Sequence, residues 1–299
     1  MLLAILAGAC GAPPAVAGKP RSKPTPYLGP SNEASSWMRS LPRAKSVVWA
    51  VGDAADGGAH GHAVAAMIAA QRVDRFLYLG DVYNTGTAAE FATNYAPVFG
   101  RFDRIAAPTI GNHEWANSAT GYVPYWTAAR GSPPPAWYAT AASGWQLISL
   151  DSNTSTDEGS AQLEWLRRKL ARSPRFGSCR LAFMHAAPFN AGTHHGEDPE
   201  LEPIVAALTG RARIVLSGHE HNMQRLVPIR GITQLVSGAA HTRFYPVDHG
   251  DPRLAFANHT RPGALRIKLG PGRALLSFVA ADGSVLDRSS VRCNQNLRR

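Results

Sequence analysis

SVVWAVGD, residues 46–53, is an apolar run rich in valine that stops abruptly at a glycine and an aspartate. A continuous run of this kind, with β-branched and aromatic side chains, reads as a strand buried on both faces. The carboxylate of Asp53 is then delivered just beyond the strand's C-terminal end. The same construction recurs down the chain as RFLYLGD (75–81), AAPTIGNHE (106–114), RLAFMH (180–185) and RIVLSGHEH (213–221). Asp81, Asn112, His185, His219 and His221 therefore occupy equivalent places. In an open α/β sheet that edge is where sites form. Oxygen and imidazole donors gathered there suit a pair of first-row metal ions.

Taken singly, each run has a plainer reading. Gly-Asp after a strand is a turn, an asparagine is a turn or helix-cap residue, and a histidine after RLAFM is a hydrogen-bonded core residue. The ordered set of five carries the inference. Two metals about 3.5–4 Å apart can clamp both the attacking and leaving oxygens of a phosphoryl group. Such a pair needs a bridging carboxylate, for which Asp81 is the natural candidate, with Asp53 adding charge at one metal. The neutral Asn112, His185, His219 and His221 complete the shell without repelling an anionic substrate. The residues by themselves point to a metal-dependent hydrolase.

Composition agrees with one large α/β domain: 299 residues, 44% of them hydrophobic. A formal net charge of +10 attracts anions. The Lys and Arg residues are scattered rather than run together, which argues against a dedicated nucleic-acid binder.

Residues 1–17 read as a signal peptide, with an apolar stretch from Leu2 to Ala9 and small residues at Ala15-Val16-Ala17. No cation precedes the apolar stretch, which is a departure from the usual form. A lipid anchor at Cys10 is the alternative. Export to the periplasm or beyond is expected in either case. Residues 18–44, rich in Pro, Ser and basic side chains, read as a linker or surface strap. Residues 45–293 form the expected catalytic domain. Removal of the leader leaves Cys179 and Cys293, a pair that an oxidising compartment would join; two buried free thiols are the alternative.

Between the motifs, HAVAAMIAAQ, TAAEFATNYAPVF, QLEWLRRKLAR and ELEPIVAALT carry helical periodicity. WYATAA and WQLISL, separated by Ser143-Gly144, form a hairpin. The C-terminal ALRIKL, GRALLSFVAA and SVLDRSSVR alternate as strands, with a hairpin turn at Asp282-Gly283. The result is two mixed sheets with helices outside.

The five motifs in this order resemble the calcineurin-like metallophosphoesterases, and within them the purple acid phosphatase branch. The likeness covers roughly Val47 to Ala239 and includes LDSN, QLEWLRRKL, SGHEHNMQRL and SGAA. It implies a four-layer αββα sandwich and two metal ions drawn from Fe, Zn or Mn. It also implies a small phosphorylated substrate, with phosphomonoesters favoured, and attack by a metal-bound hydroxide. A phosphodiesterase, a nuclease or a non-catalytic metal-binding protein are the other readings. The stretch APFNAGTHHGE resembles the branch's paired-histidine loop, so His194 and His195 would contact phosphate or protonate the leaving group. His113 would be a further phosphate contact.

Two departures matter. The branch has Gly-Asp-x-x-Tyr, its tyrosinate ligating ferric iron. Here Tyr83 comes one residue early and Asn84 takes its place. Either a shortened loop returns Tyr83 to the metal, or the tyrosinate is missing and a colourless protein with two divalent metals results; the offset favours the second. Asp53 is followed by Ala54-Ala55, so His60 or His62 would contribute only if the Gly57-Gly58 loop folds back.

Overall fold

The computed structural model describes residues 37–294. The proposed signal peptide, Cys10 and most of the strap fall outside that range. The described end of the strap lies against the domain. Trp37 and Met38 are buried, and Trp37 sits edge-on to Tyr138. Leu41 donates its N–H to Ala141 at 2.7 Å.

The first three strands, β1 (Ser46–Val51), β2 (Arg75–Tyr78) and β3 (Ala106–Pro108), pair in parallel. Apart from the half-buried Val47 they are buried throughout, because helices cover one face and a second sheet the other. A hairpin follows, β4 (Tyr138–Ala142) and β5 (Trp145–Ser149), turning at Ser143 and Gly144, both with positive φ. Next come β6 (Arg180–Phe183), β7 (Ile214–Ser217), β8 (Met223–Leu226), β9 (Thr233–Ser237) and β10 (Leu254–Asn258). The antiparallel finish is β11 (Gly263–Gly270), β12 (Arg273–Ala280) and β13 (Val285–Arg292).

These strands make two mixed sheets. One has six strands in the order β13-β12-β11-β1-β2-β3 and the other seven, β10-β8-β9-β7-β6-β5-β4. A single core joins their inner faces, from Val48, Leu265 and Ile267 on one side to Leu181, Phe183 and Leu216 on the other. Outside the first sheet lies the helix Ala59–Ala69, burying Val64 and Ile68. Outside the second lie Ala161–Arg172 and Glu202–Leu208, whose Leu163, Leu166, Ile204 and Leu208 form a second core. The four-layer αββα sandwich is therefore present.

Strands β8, β9 and β10 were not read from the sequence. Gln224, Arg225, Gln234 and Thr233 break the apolar pattern, and each of these polar side chains except Arg225 is buried. The run TAAEFATNYAPVF is helical but not uniformly so. Phe91–Tyr95 forms a π-turn between the α-helical segments Ala88–Glu90 and Ala96–Phe99. Cys179 and Cys293 are joined in a disulfide with Cα atoms 5.0 Å apart. It ties the chain's C-terminal end to the start of β6.

Candidate metal centre

β1, β2 and β3 end at the same rim as β6 and β7. Asp53, Asp81 and Asn112 meet His185, His219 and His221 there. Three of these turns place a non-glycine residue in left-handed backbone: Asp53 at φ 59°, Asp81 at 70° and His219 at 68°. That conformation costs of order 1–3 kcal/mol per residue and clusters at functional sites. Close approach is the second requirement. A Cβ on Gly111 would stand 2.0 Å from Asp81 Oδ1, so any larger residue there would displace the central carboxylate.

Two points of convergence result. His185 Nε2 lies 2.9 Å from Asn112 Oδ1, 3.0 Å from His219 Nδ1 and 3.2 Å from Asp81 Oδ2. One nitrogen carries at most one proton, so these lone pairs cannot all be satisfied by hydrogen bonds. Likewise Tyr83 Oη lies 2.8 Å from His221 Nε2, 3.1 Å from Asp81 Oδ2 and 3.2 Å from Asp53 Oδ1. Asp81 Oδ2 belongs to both clusters. The ligand atoms of Asp81, His185 and His219 all fall within 4.8 Å of one another.

The outer ring nitrogens settle which way these imidazoles present themselves. His185 Nδ1 meets Leu79 O at 2.8 Å, and His221 Nδ1 meets Arg243 O at 3.0 Å. A carbonyl only accepts, so each Nδ1 donates, and the neutral ring turns its Nε2 lone pair inward. This is the arrangement that orients metal-binding histidines.

Electrostatics agree. Asp53 and Asp81 are fully buried, and among the described residues their ion-pair partners are histidines rather than Lys or Arg. Burial pushes the Asp53 carboxyl well above the usual range, against the pull of His185. Asp81 is also disfavoured by burial, yet the charge and hydrogen bond of His185 hold it below the usual range. Burial lowers His185 too, but the carboxylates of Asp81 and Asp53 outweigh it and push it up to about 10. Burial and neighbouring imidazoles depress His219 to about 2 and His221 to about 3. His185 thus holds a proton where the carboxylates converge while His219 and His221 stay neutral, and cations taking the place of that proton fit the donor set.

The likeness of this chain to known proteins agrees with that geometry. Residues 29–223 match the calcineurin-like phosphoesterase family. The chain belongs to that family. A probable purple acid phosphatase of Arabidopsis thaliana is 28% identical over 177 residues, covering 51% of this chain and 40% of the relative. A purple acid phosphatase from yellow lupin seeds superposes with a TM-score of 0.68 at 15% identity, over 83% of this chain and 54% of that one. A dimetal phosphatase from Danio rerio has a TM-score of 0.57 at 14% identity, over 83% of this chain and 99% of that one. The chain is thus similar to purple acid phosphatases over part of its length, and it spans about half the length or less of the plant enzymes it matches.

The remaining expected site residues also reach the rim. His113 Nε2 is 3.8 Å from Asp81 Oδ2, and its Nδ1 meets Asn84 O at 2.5 Å. His195 stacks on His219 with ring centres 3.8 Å apart, and His194 lies 3.8 Å from the ring of Tyr245. Tyr83 reaches the cluster despite its early position in sequence. His60 does not: its Nδ1 meets His241 O and its ring stacks on Phe244. His62 is exposed on the helix Ala59–Ala69.

Sequence reading missed several residues of this phosphoesterase centre. Glu220, between His219 and His221, faces the opposite way. Its Oε1 accepts the N–H groups of His195 at 2.6 Å and Gly196 at 2.9 Å. The loop lies so close that a Cβ on Gly192 would come within 2.5 Å of the Glu220 carboxyl carbon. Glu114, also fully buried, accepts the Asp81 N–H through Oε2. His241 and Tyr245 sandwich the His221 ring at 4.1 and 4.0 Å. An acid within two residues of a candidate ligand was the available signal for Glu114 and Glu220. No spacing pointed to His241 or Tyr245.

Proposed function

We propose that the protein is an exported phosphomonoesterase using two metal ions. Asp53, Tyr83 and His221 hold one, Asn112, His185 and His219 hold the other, and Asp81 is shared. The observation that supports this most is the pair of convergences on Tyr83 Oη and His185 Nε2, joined through one oxygen of Asp81. When bound, Fe, Zn or Mn supplies Lewis-acid polarisation of the phosphoryl oxygens and acidifies water. The protein's own residues do the rest. His113 and His194 stand at the rim, where imidazole can donate to phosphate oxygens. His195, stacked over His219, is placed to give its proton to the departing alkoxide. Burial and the neighbouring His194 and His185 depress His195 to about 4, and a bound phosphate dianion works against that depression.

Export is supported by the Cys179–Cys293 disulfide, which suits an oxidising compartment. Among the described residues no helix is long and apolar enough to cross a membrane.

The test is hydrolysis of a chromogenic phosphomonoester alongside metal analysis of the purified protein. Wild type should carry two metals and lose activity on chelation. Asp81→Ala should lose both the metals and turnover. Normal hydrolysis by Asp81→Ala, or greater activity on diesters or DNA than on monoesters, would overturn the reading.

A further inference from the structure

Far from the metal rim, the outer face of the β11–β13 wing carries one sign of charge. Strand register puts Arg266 and Lys268 of β11 beside Ser277 and Leu275 of β12. Those in turn lie beside Arg288 and Ser290 of β13, and Arg273 lies beside Arg292. Side chains opposite one another in register share a face. Five cations therefore stand on this face, and its strand positions hold no carboxylate. The one acid of β13, Asp287, is on the inner side, bonded to Arg225 at 2.7 Å. Among the described residues none of the five forms an ion pair with a carboxylate.

The Ala59–Ala69 helix packs over the parallel half and reaches only β11 of the wing, where Arg266 Nη1 donates to Gln71 just beyond that helix at 2.8 Å. Between the wing and the start of β1 is a groove of about 630 Å³, lined by Lys45, Val47, Arg266, Lys268, Arg273 and Leu275 among others. Leu275 is 42% exposed, one of two large hydrophobic residues so placed among the described residues. Arg266 has a buried Nε without a partner, and its guanidinium stands 5.7 Å from the Trp49 ring. Lys45 leads directly into β1. The chain upstream holds the apolar stretch Leu2–Ala9 and the cations Lys19, Arg21 and Lys23.

We propose that this face is a docking surface for an anionic phospholipid bilayer. A sheet face with a protruding leucine and a surround of Arg and Lys matches a membrane interface, where apolar side chains enter and cations meet headgroups. The partner must be anionic, since the clustered cations otherwise repel one another uncompensated. A single-stranded nucleic acid would call for exposed aromatic platforms, and the groove's lining has none. The orientation is also productive. β1 runs from the groove at Ser46 to the metal rim at Asp53, roughly 20 Å away at strand rise. A bilayer on the wing leaves the rim open to soluble substrate. The proposal is independent of the reading of the metal centre.

The experiment is co-sedimentation of the full chain with vesicles of phosphatidylcholine alone or mixed with phosphatidylglycerol, at low and high salt. Binding is expected to the mixed vesicles only, and to fall as salt rises. Lys268→Glu/Arg273→Glu should bind at least about tenfold more weakly, with ester hydrolysis and melting temperature unchanged. Should that variant melt early, Lys268→Gln/Arg273→Gln gives the same comparison without new charges. Leu275→Ser should weaken binding at fixed charge. Equal binding of charge variants and wild type, or equal binding to both vesicle types, would refute the proposal. So would a duplex oligonucleotide that displaces the protein from vesicles at matched charge, since the face would then belong to nucleic acid.

Discussion

Asp53, Asp81 and His219 show how much of this centre is backbone. Each follows a glycine at a strand end and adopts positive φ, and together they aim side chains inward that an ordinary strand continuation would send elsewhere. Tyr83 then enters from the loop after β2 and places its hydroxyl between Asp53, Asp81 and His221. The sequence offset pointed to a colourless protein; the position of this hydroxyl argues for colour when ferric iron is bound. A visible charge-transfer band should appear on iron loading and vanish in Tyr83→Phe. An iron-loaded wild type without that band would rule out a tyrosinate ligand. Glu220 works through the loop it grips. Glu220→Ala removes the acceptor for two amides and frees His195 from its stack, so turnover of alkyl phosphates should fall about 10–100-fold. Aryl phosphates, whose leaving groups need little protonation, should be affected less, and Glu220→Gln should recover part of the loss. Metal content should stay constant across the series; loss of metal would make Glu220 a support for the ligands instead.

At the scale of elements, the parallel strands were the easiest to read. β1, β2, β6 and β7 are buried on both faces, so burial imposes a continuous apolar run, and the run ends where the site begins. The helical stretch from Ala88 to Ile105 was harder. Its π-turn and closing 3₁₀ segment, Gly100–Ile105, depend on how Phe91, Tyr95 and Phe99 pack, not on local propensity. Asp103 sits in that segment with Oδ2 accepting from Tyr125 at 2.8 Å and a buried, unpartnered Oδ1. Burial pushes its carboxyl up to about 6, against the opposing hydrogen bond from Tyr125 and charge of Arg130. The folded state therefore holds this proton more tightly than the unfolded chain. Asp103 favours folding fully below the ordinary carboxylate value of 3.8, and that contribution is lost as pH rises through 6. Asp103→Asn should consequently raise stability at pH 7 by about 1 kcal/mol, allowing for partial exposure. The gain should disappear near pH 4 in denaturant titrations. A gain equal at both pH values would show that charge is not its cause.

At the scale of the whole molecule, two sheets share one core and meet at one rim, and the disulfide fastens the far end. Cys179 and Cys293 are separated by 114 residues, so the cross-link removes much of the unfolded chain's freedom. Cys179→Ser/Cys293→Ser should lower unfolding stability by about 5 kcal/mol on the chain-entropy model, read from the denaturant midpoint. Activity at low temperature should persist, because the bridge lies at the start of β6 and the ligand His185 at its end. A variant as stable as wild type would show that the fold gains nothing from the link.

The sequence by itself determined the strand-ending motifs, the layering of the parallel core and the candidate ligands Asp53, Asp81, Asn112, His185, His219 and His221. Burial on both faces writes strands as apolar runs, and divalent-metal chemistry restricts what can follow them. Only the tertiary structure decided how those ligands divide into two clusters. That division depends on distances between strand ends of different sheets, which no local pattern encodes. It also decided the place of Tyr83, where loop path outweighed residue count. The same holds for Glu220, His241 and Tyr245, and for the cationic face of the wing. Those residues are ordinary in sequence and acquire their meaning from neighbours brought beside them by packing and strand register.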